Sequence, residues 1–269
     1  MQNNVILPQW LDNLIFDQLG AKYQRSNADM TVIDWDKNDV LNYLGTYFPR
    51  SYTEAYCIFS EFFTRYAKRY KEKTELSAFD FGCGTGGEII GLLGAISKYC
   101  PNVKEVKIIA FDGNYHALRL YERIFNETKR YLTFEATTKV IPLEIEDFYD
   151  LSVLLSILHC DFDVIMTFKA ICEFVSKDRF ERNNPYAHIV RSFVPKLKND
   201  GIILIEDVTT YNNVSQEWLP KMMDTGLSMI PNCQTIMRND GYNQTFLVHH
   251  TNKDVDASKV AWRIIQKQK

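Results

Sequence analysis

The sequence has no apolar run of about 18 residues, the length a helix needs to cross a bilayer, so no membrane span is expected. Its first residues, MQNNVILPQWLDNL, lack a basic stretch followed by a long apolar core, so no secretory leader is expected. It also lacks a charge excess of either sign: 31 Lys and Arg stand against 34 Asp and Glu, a net charge of −3. That balance excludes a generally basic nucleic-acid coat and leaves room only for a local basic patch. The six cysteines, Cys57, Cys83, Cys100, Cys160, Cys172 and Cys233, form no CxxC pair and no ligand ladder. No metal site is expected from them, His159-Cys160 included. A chain of 269 residues buries a core without disulfides, so reduced thiols in a cytoplasmic protein are expected. There is no internal repeat and no low-complexity tract. What is present is ordinary globular composition, 46% hydrophobic and 24% charged, which argues against global disorder.

Residues 1–48 are irregular, with short helices expected around Trp10–Leu19 and Val40–Leu44. A stronger helix is expected after Pro49-Arg50. Ser51 and Glu54 fit a capping box, and Ala55, Ile58, Phe59, Phe62, Phe63, Tyr66 and Tyr70 recur at helical spacing. Its basic end, Arg65 to Lys73, reads as a solvated terminus matched to the helix dipole. From residue 77 strands alternate with helices. Strands are expected over Ser77–Phe81, Val106–Phe111, Thr138–Ile145, Phe162–Phe168 and Gly201–Val208. Helices are expected over Glu88–Tyr99, after an Asn114 cap, and over Asp147–Leu158, Pro185–Leu197 and Ser215–Thr225. This alternation predicts an α/β fold, a parallel sheet with helices on both faces. Cys233–Met237 and Gln244–His250 flank a turn with Asp-Gly inside it, so an antiparallel hairpin is expected at the end.

The segment Ala78-Phe79-Asp80-Phe81-Gly82-Cys83-Gly84-Thr85-Gly86-Gly87-Glu88 lies between an expected strand and helix. Glycines there let the backbone turn sharply and approach a ligand, and the helix start supplies free N–H groups. Gly87 satisfies the third glycine of a dinucleotide fingerprint, so a nicotinamide dehydrogenase stays open as a reading. Asp80, however, stands two residues before Gly82. A carboxylate there suits a cationic group such as an α-ammonium and is an odd neighbour for a pyrophosphate.

The stretch AFDFGCGTGGEI resembles the first motif of class I S-adenosylmethionine-dependent methyltransferases, and the element order over residues 77–251 is similar to that family, reversed final strands included. The resemblance implies a Rossmann-like, seven-stranded, mostly parallel sheet with a C-terminal antiparallel hairpin, preceded by an N-terminal helical segment (residues 1–76) and followed by a basic tail (252–269). It implies S-adenosylmethionine as cofactor, S-adenosylhomocysteine as product, and methyl transfer by direct SN2 displacement. Phe81, Gly82, Cys83, Gly84 and Gly86 would pass under the methionine and ribose, with Asp80 facing the ammonium. Asp112, followed by Gly113 at the next strand end, would accept the ribose hydroxyls; Asn114 fits the alternative role of helix cap better. Asp147 would accept from the adenine amino group, with Phe148 or Ile145 against the ring. Phe168 would end a strand beside the reacting methyl group. The N/D-P-P-Y/F run of enzymes that methylate base amines is replaced here by Thr167-Phe168-Lys169-Ala170, and Cys172 does not follow a proline, so it reads as a buried thiol. Lys169, Glu173 and Asp207 are candidate bases because each follows the C-terminal end of an expected strand.

The Pro49-x-x-Tyr52-x-x-Ala55 run is similar to one that precedes the glycine turn in the methyltransferase-like proteins of the small mitochondrial ribosomal subunit and their bacterial relatives. Arg50 and Tyr52, at an expected helix start, would reach a carboxylate such as the cofactor's own, with Pro49–Tyr56 closing as a lid. The basic residues of 253–269, with the Arg65–Lys73 run, suggest either a rim for RNA or a charged terminal helix. Three readings follow: a methyltransferase acting on a small molecule or peptide, one acting on RNA or a ribosomal component, and a non-catalytic cofactor-binding assembly protein. The charge balance favours the first.

Overall fold

The computed structural model describes residues 3–24, 35–174, 183–213 and 215–268. The chain has an α/β fold whose sheet is mostly parallel with antiparallel strands at the C-terminal end. It divides into two compact units, each assembled from separate stretches. The first comprises residues 1–76, 83–142 and 245–258, and the second residues 77–82, 143–244 and 259–269. No helix among the described residues is long and apolar enough to cross a membrane.

The first unit is organised by the helix Lys37–Arg65. Asp36 caps it, accepting from the backbone N–H groups of Asn38 (2.7 Å) and Asp39 (3.0 Å), while the Asp39 carboxylate accepts from the Asp36 N–H. That reciprocal box replaces the one expected at Ser51 and Glu54, which are buried inside a helix that runs straight through Pro49. A proline there removes the N–H that would reach the carbonyl of Gly45, a cost of about 3 kcal/mol. The buried face from Val40 to Phe63 offsets it. The helix Gly87–Tyr99 lies against this face almost backbone to backbone. A Cβ on Gly87 would come 2.6 Å from the Phe48 carbonyl oxygen, and one on Gly91 2.4 Å from that of Tyr52. Glycines four residues apart on one helix face thus let the two axes approach closely. Strands Glu105–Asp112 and Glu135–Pro142 pair in parallel along their whole length, and Asn4–Ile6 pairs in parallel with Leu247–His249.

Inside this unit Arg50 meets Asp256 through two hydrogen bonds, Nε at 2.7 Å and Nη2 at 2.6 Å, both side chains being buried. Burial alone would pull the Arg50 pKa down, but its bonds and charge contact with Asp256 raise it. Burial would raise the Asp256 carboxyl, yet hydrogen bonds from His250 and Arg50 bring it down to about 2.

In the second unit Phe162–Phe168 is buried at every position, as an internal parallel strand should be. Ala78–Asp80 pairs with it on one side and Leu197–Val208 on the other. Beyond that, Val260–Gln266 runs antiparallel to Ile202–Val208, and Cys233–Arg238 antiparallel to Arg263–Lys267. So Cys233–Met237 does not pair with Gln244–His250 as a hairpin; its partner is the last strand. The stretch expected as a basic tail or charged helix is that strand, Lys253–Lys267. Its centre, Val260-Ala261-Trp262-Arg263-Ile264-Ile265, is wholly buried. Arg263 is tolerated there because its guanidinium bonds to Asp224 (2.7 and 3.0 Å), to Asn239 Oδ1 (2.6 Å) and to the Trp262 carbonyl (2.8 Å). All seven expected strands exist, and four more are present among the described residues: Asn4–Ile6, Tyr211–Asn212, Glu217–Trp218 and Lys253–Lys267. Several boundaries differ, among them these. Leu197–Val208 begins four residues before Gly201, Glu135–Pro142 ends before Ile145, and the helix expected from Asp147 covers only Ser152–Ile157.

The Arg50–Asp256 pair sets a pH dependence. A depressed carboxyl pKa stabilises the fold above its unfolded value of about 3.9, and that contribution is lost as the pH falls toward 2. Asp256→Asn should cost about 3 kcal/mol at pH 7, because it leaves Arg50 buried without its counter-charge. Urea unfolding at pH 7 and pH 3 checks this. The gap between variant and wild type should shrink at pH 3, and a gap independent of pH would contradict it.

Candidate functional site

The glycine turn shows why its glycines alternate. Gly82, Gly84 and Gly86 have φ of 78°, 49° and 81°, all in the left-handed region that residues with a Cβ avoid. At Gly86 space forbids a side chain as well, since a Cβ would lie 2.2 Å from Tyr121 Cδ2. Two backbone bonds close the turn: the Gly86 N–H donates to the Cys83 carbonyl (2.7 Å), and the Cys83 N–H to the Phe111 carbonyl (2.9 Å).

Asp112 ends the strand beside this turn and is buried. Its Oδ2 accepts from the Gly84 N–H and its Oδ1 from the Asn114 N–H, both at 2.7 Å. Burial raises its pKa, while the bonds from Asn114 and Gly84 oppose that shift. A carboxylate has about four acceptor positions, so two remain for another donor. Asn114 is the helix cap, accepting from the Ala117 N–H at 2.9 Å, which leaves Asp112 free of that role. Gly113 lies between them and is partly exposed.

The N-terminal helix reaches the turn through residues other than those expected. Tyr43 lies over Gly84, its hydroxyl 3.1 Å from where a Cβ would stand. Its ring stacks on Tyr47 (5.0 Å) and meets Trp35 (5.1 Å), whose carbonyl accepts from Asn114 Nδ2 at 3.2 Å. The signal for this pair was present in the sequence: two tyrosines four apart, upstream of Pro49, share one helix face. Arg50, by contrast, is held in the ion pair with Asp256. Tyr52 stacks on Tyr56 (6.0 Å) beside Gly91 and Gly94, along the helix rather than over the turn. Pro49–Tyr56, the stretch expected to close as a lid, lies inside the helix Lys37–Arg65 and packs along the helix Gly87–Tyr99.

Within the second unit, Asp80 is fully buried at its strand end, and Phe81 meets Phe148 (6.5 Å) and Phe193 (5.8 Å) edge-on. Phe148 is itself fully buried and also packs on Tyr149 and His188, which makes it a core residue. Asp147 is exposed, accepts from the Tyr149 N–H at 3.0 Å, and lies five residues past the strand end at Pro142. Phe168 is buried, and the next residue, Lys169, has φ of 55° although it carries a side chain. Non-glycine residues in that region store strain and cluster at working sites. The Lys169 N–H donates to the Glu206 carbonyl (2.9 Å), and its carbonyl accepts from Cys172 Sγ (3.1 Å). Asp207, fully buried, accepts from the Tyr186 hydroxyl at 2.9 Å and the Val208 N–H at 2.8 Å. Burial pushes its carboxyl up, against hydrogen bonds from Cys172, Val208 and Tyr186. Burial, then the Asp207 charge, pushes the Cys172 thiol and the Tyr186 hydroxyl well up. All three candidate bases, Lys169, Asp207 and Glu173, therefore have Cys172 as a neighbour, Glu173 being exposed on the short helix Ile171–Phe174. Tyr186 is a member of this cluster that the sequence did not reveal.

No protein-family model matches the chain, and no curated protein matches it, so the shorter resemblance to the mitochondrial ribosomal group gains no support from them. Solved structures do match. A proposed S-adenosyl-L-methionine-dependent methyltransferase from Methanococcus maripaludis is 14% identical, with 91% of this chain and 98% of that chain covered and a TM-score of 0.50. A proposed rRNA methylase from Clostridium thermocellum is 15% identical, covering 76% and 93%, with a TM-score of 0.47. Precorrin-6y C5,15-methyltransferase from Geobacter metallireducens is 12% identical, covering 81% and 89%, with a TM-score of 0.45. The first of these shows that the chain has a methyltransferase-like Rossmann fold.

Two glycines give a contrast that tests the turn. Gly86→Ala places a Cβ at positive φ and against Tyr121, and should cost about 2–3 kcal/mol. Gly94→Ala sits mid-helix with its nearest neighbour at 3.4 Å, and should be neutral or stabilising by up to about 1 kcal/mol. Thermal unfolding of both variants checks the pair.

Proposed function

We propose that this protein is an S-adenosylmethionine-dependent methyltransferase that passes a methyl group by direct SN2 displacement to a small-molecule or peptide nucleophile. The observation that carries the reading is Asp112: a buried carboxylate at a strand end, bonded to the Gly84 N–H of a turn with three left-handed glycines, with acceptor positions to spare. The residues present fit the cofactor. Asp112 would accept the ribose hydroxyls, the glycine backbone at Gly84 and Gly86 would allow close approach, and Tyr43 would supply an aromatic wall. When bound, the cofactor supplies a methyl group already activated on a sulfonium.

The protein's remaining task is then to hold the acceptor in line, which is catalysis by orientation. An acceptor that arrives protonated needs a base as well. Asp207 is the candidate for that role: it is buried in the strand Leu197–Val208, and burial raises its carboxyl above the ordinary value, against hydrogen bonds from Cys172, Val208 and Tyr186. Tyr186 and Cys172 would orient it, and the Lys169 backbone, strained at the neighbouring strand end, would fix the loop that carries Cys172.

Calorimetric titration with S-adenosylmethionine, S-adenosylhomocysteine and NADH tests the cofactor. Both adenosyl compounds should bind saturably and more tightly than NADH. Asp112→Ala, checked for wild-type melting, should weaken S-adenosylhomocysteine roughly ten- to hundredfold, the equivalent of about 1.5–3 kcal/mol for one charged hydrogen-bond acceptor. Equal or tighter binding of NADH, or an unchanged affinity in the folded variant, would contradict the reading.

A further inference from the structure

The first unit contains a concavity whose lining includes neither the glycine turn nor Asp112. A cleft of about 950 Å³ runs along the helix Gly87–Tyr99, on the face that carries Ile90, Gly94, Ser97 and Lys98. Its volume is that of a small-molecule site. The walls are aromatic. Trp10 and Tyr131 stack with centroids 4.1 Å apart and planes 9° from parallel, and Tyr52 and Tyr56 stack at 6.0 Å and 7°. The lining also includes one polar atom without a hydrogen-bond partner and one cation without a counter-charge. Ser97 Oγ is buried and has no hydrogen-bond partner among the described residues, a state whose cost a bound donor or acceptor would remove. Lys98 Nζ, at the rim, contacts the Tyr56 hydroxyl at 3.3 Å and lies over the rings of Tyr56 (5.9 Å) and Tyr99 (5.3 Å). Among the described residues no carboxylate forms an ion pair with it. The acid of the lining, Asp254, is fully exposed on the strand side beside His249, at 3.9 Å.

We propose that this cleft is a second ligand site, separate from the glycine turn, that takes a flat aromatic molecule bearing one anionic group. The ring lies against the aromatic walls, the anion meets Lys98, and a polar atom reaches Ser97 Oγ. Stacking supplies affinity that does not depend on charge, and the single unneutralised ammonium selects for an anion. The inference stands on the first unit alone and does not rest on methyl transfer.

Gly94 offers a clean block. A Cβ there meets its nearest atoms, Tyr56 Cδ2 and Tyr52 Oη, at ordinary distances of 3.4 and 3.6 Å, so a larger side chain fills the cleft without forcing the backbone. The probes are 2-naphthoate and its neutral amide, 2-naphthamide, titrated into the full chain by calorimetry. Naphthoate should bind saturably at one site and more tightly than the amide. Lys98→Met should weaken naphthoate roughly tenfold and leave the amide unchanged. Gly94→Leu should remove binding of both probes at an unchanged melting temperature, and Trp10→Ala should weaken both, which keeps the test open if the leucine variant fails to fold. Absence of saturable binding, equal affinity for the two probes, binding that survives Gly94→Leu in a folded protein, or displacement of naphthoate by S-adenosylhomocysteine would each overturn the proposal.

Discussion

The carboxylate of Asp112 is the point on which the glycine turn depends. Taking a charge out of water is costly, and the group is retained only because two backbone N–H groups, those of Gly84 and Asn114, meet its two oxygens at 2.7 Å. One bond fixes the middle of the glycine turn, and the other fixes the residue that caps the helix Tyr115–Thr128. That helix returns Tyr121 against Gly86, where no side chain fits. Strand end, turn and helix cap are thus one closed circuit of short-range constraints. It is held in shape before any ligand arrives, as a site that must orient a reaction requires.

A second constraint explains why the N-terminal residues belong to the body of the first unit. Gly87 and Gly91 let two helix backbones come into contact, so the helix Lys37–Arg65 is laid along the helix that starts at the turn. Once that contact forms, Phe48, Tyr52 and the residues between them are committed to packing. Arg50, buried by the same contact, needs a counter-charge and finds it in Asp256, more than 200 positions away in sequence. The same packing presents Tyr43, stacked on Tyr47, to the turn and turns Tyr52 and Tyr56 toward the aromatic cleft.

Much of this was legible from local pattern. The motif around Gly82–Gly86, the Asn114 cap and the wholly apolar strand Phe162–Phe168 follow from turn chemistry, capping and burial, all properties of neighbouring residues. What escaped depended on partners far away. Pro49 reads as a helix boundary because proline cannot donate, yet the tertiary face from Val40 to Phe63 overrides it. The terminal strand was hidden because lysines and aspartates flank the short run Val260–Ile265, and because Arg263 reads as exposed until Asp224 and Asn239 are known to receive it. The partners of Arg50, Tyr52 and Phe148 were hidden for the same reason: Asp256, Tyr56 with Gly94, and Phe81 with His188 meet them only through the fold. Tyr186 was invisible because only the packing of the helix Pro185–Phe193 on the strand Leu197–Val208 brings its hydroxyl to Asp207.

The central claim, that an adenosyl cofactor is held at the Asp112-braced turn, is tested most directly by amide hydrogen exchange of the full chain with and without saturating S-adenosylhomocysteine. The account predicts slowed exchange in peptides covering Gly82–Ile90 and Asp112–Leu118, where the ligand would stiffen backbone N–H groups that Asp112 already orients. Exchange unchanged in both segments, with protection arising only elsewhere in the chain, would contradict it.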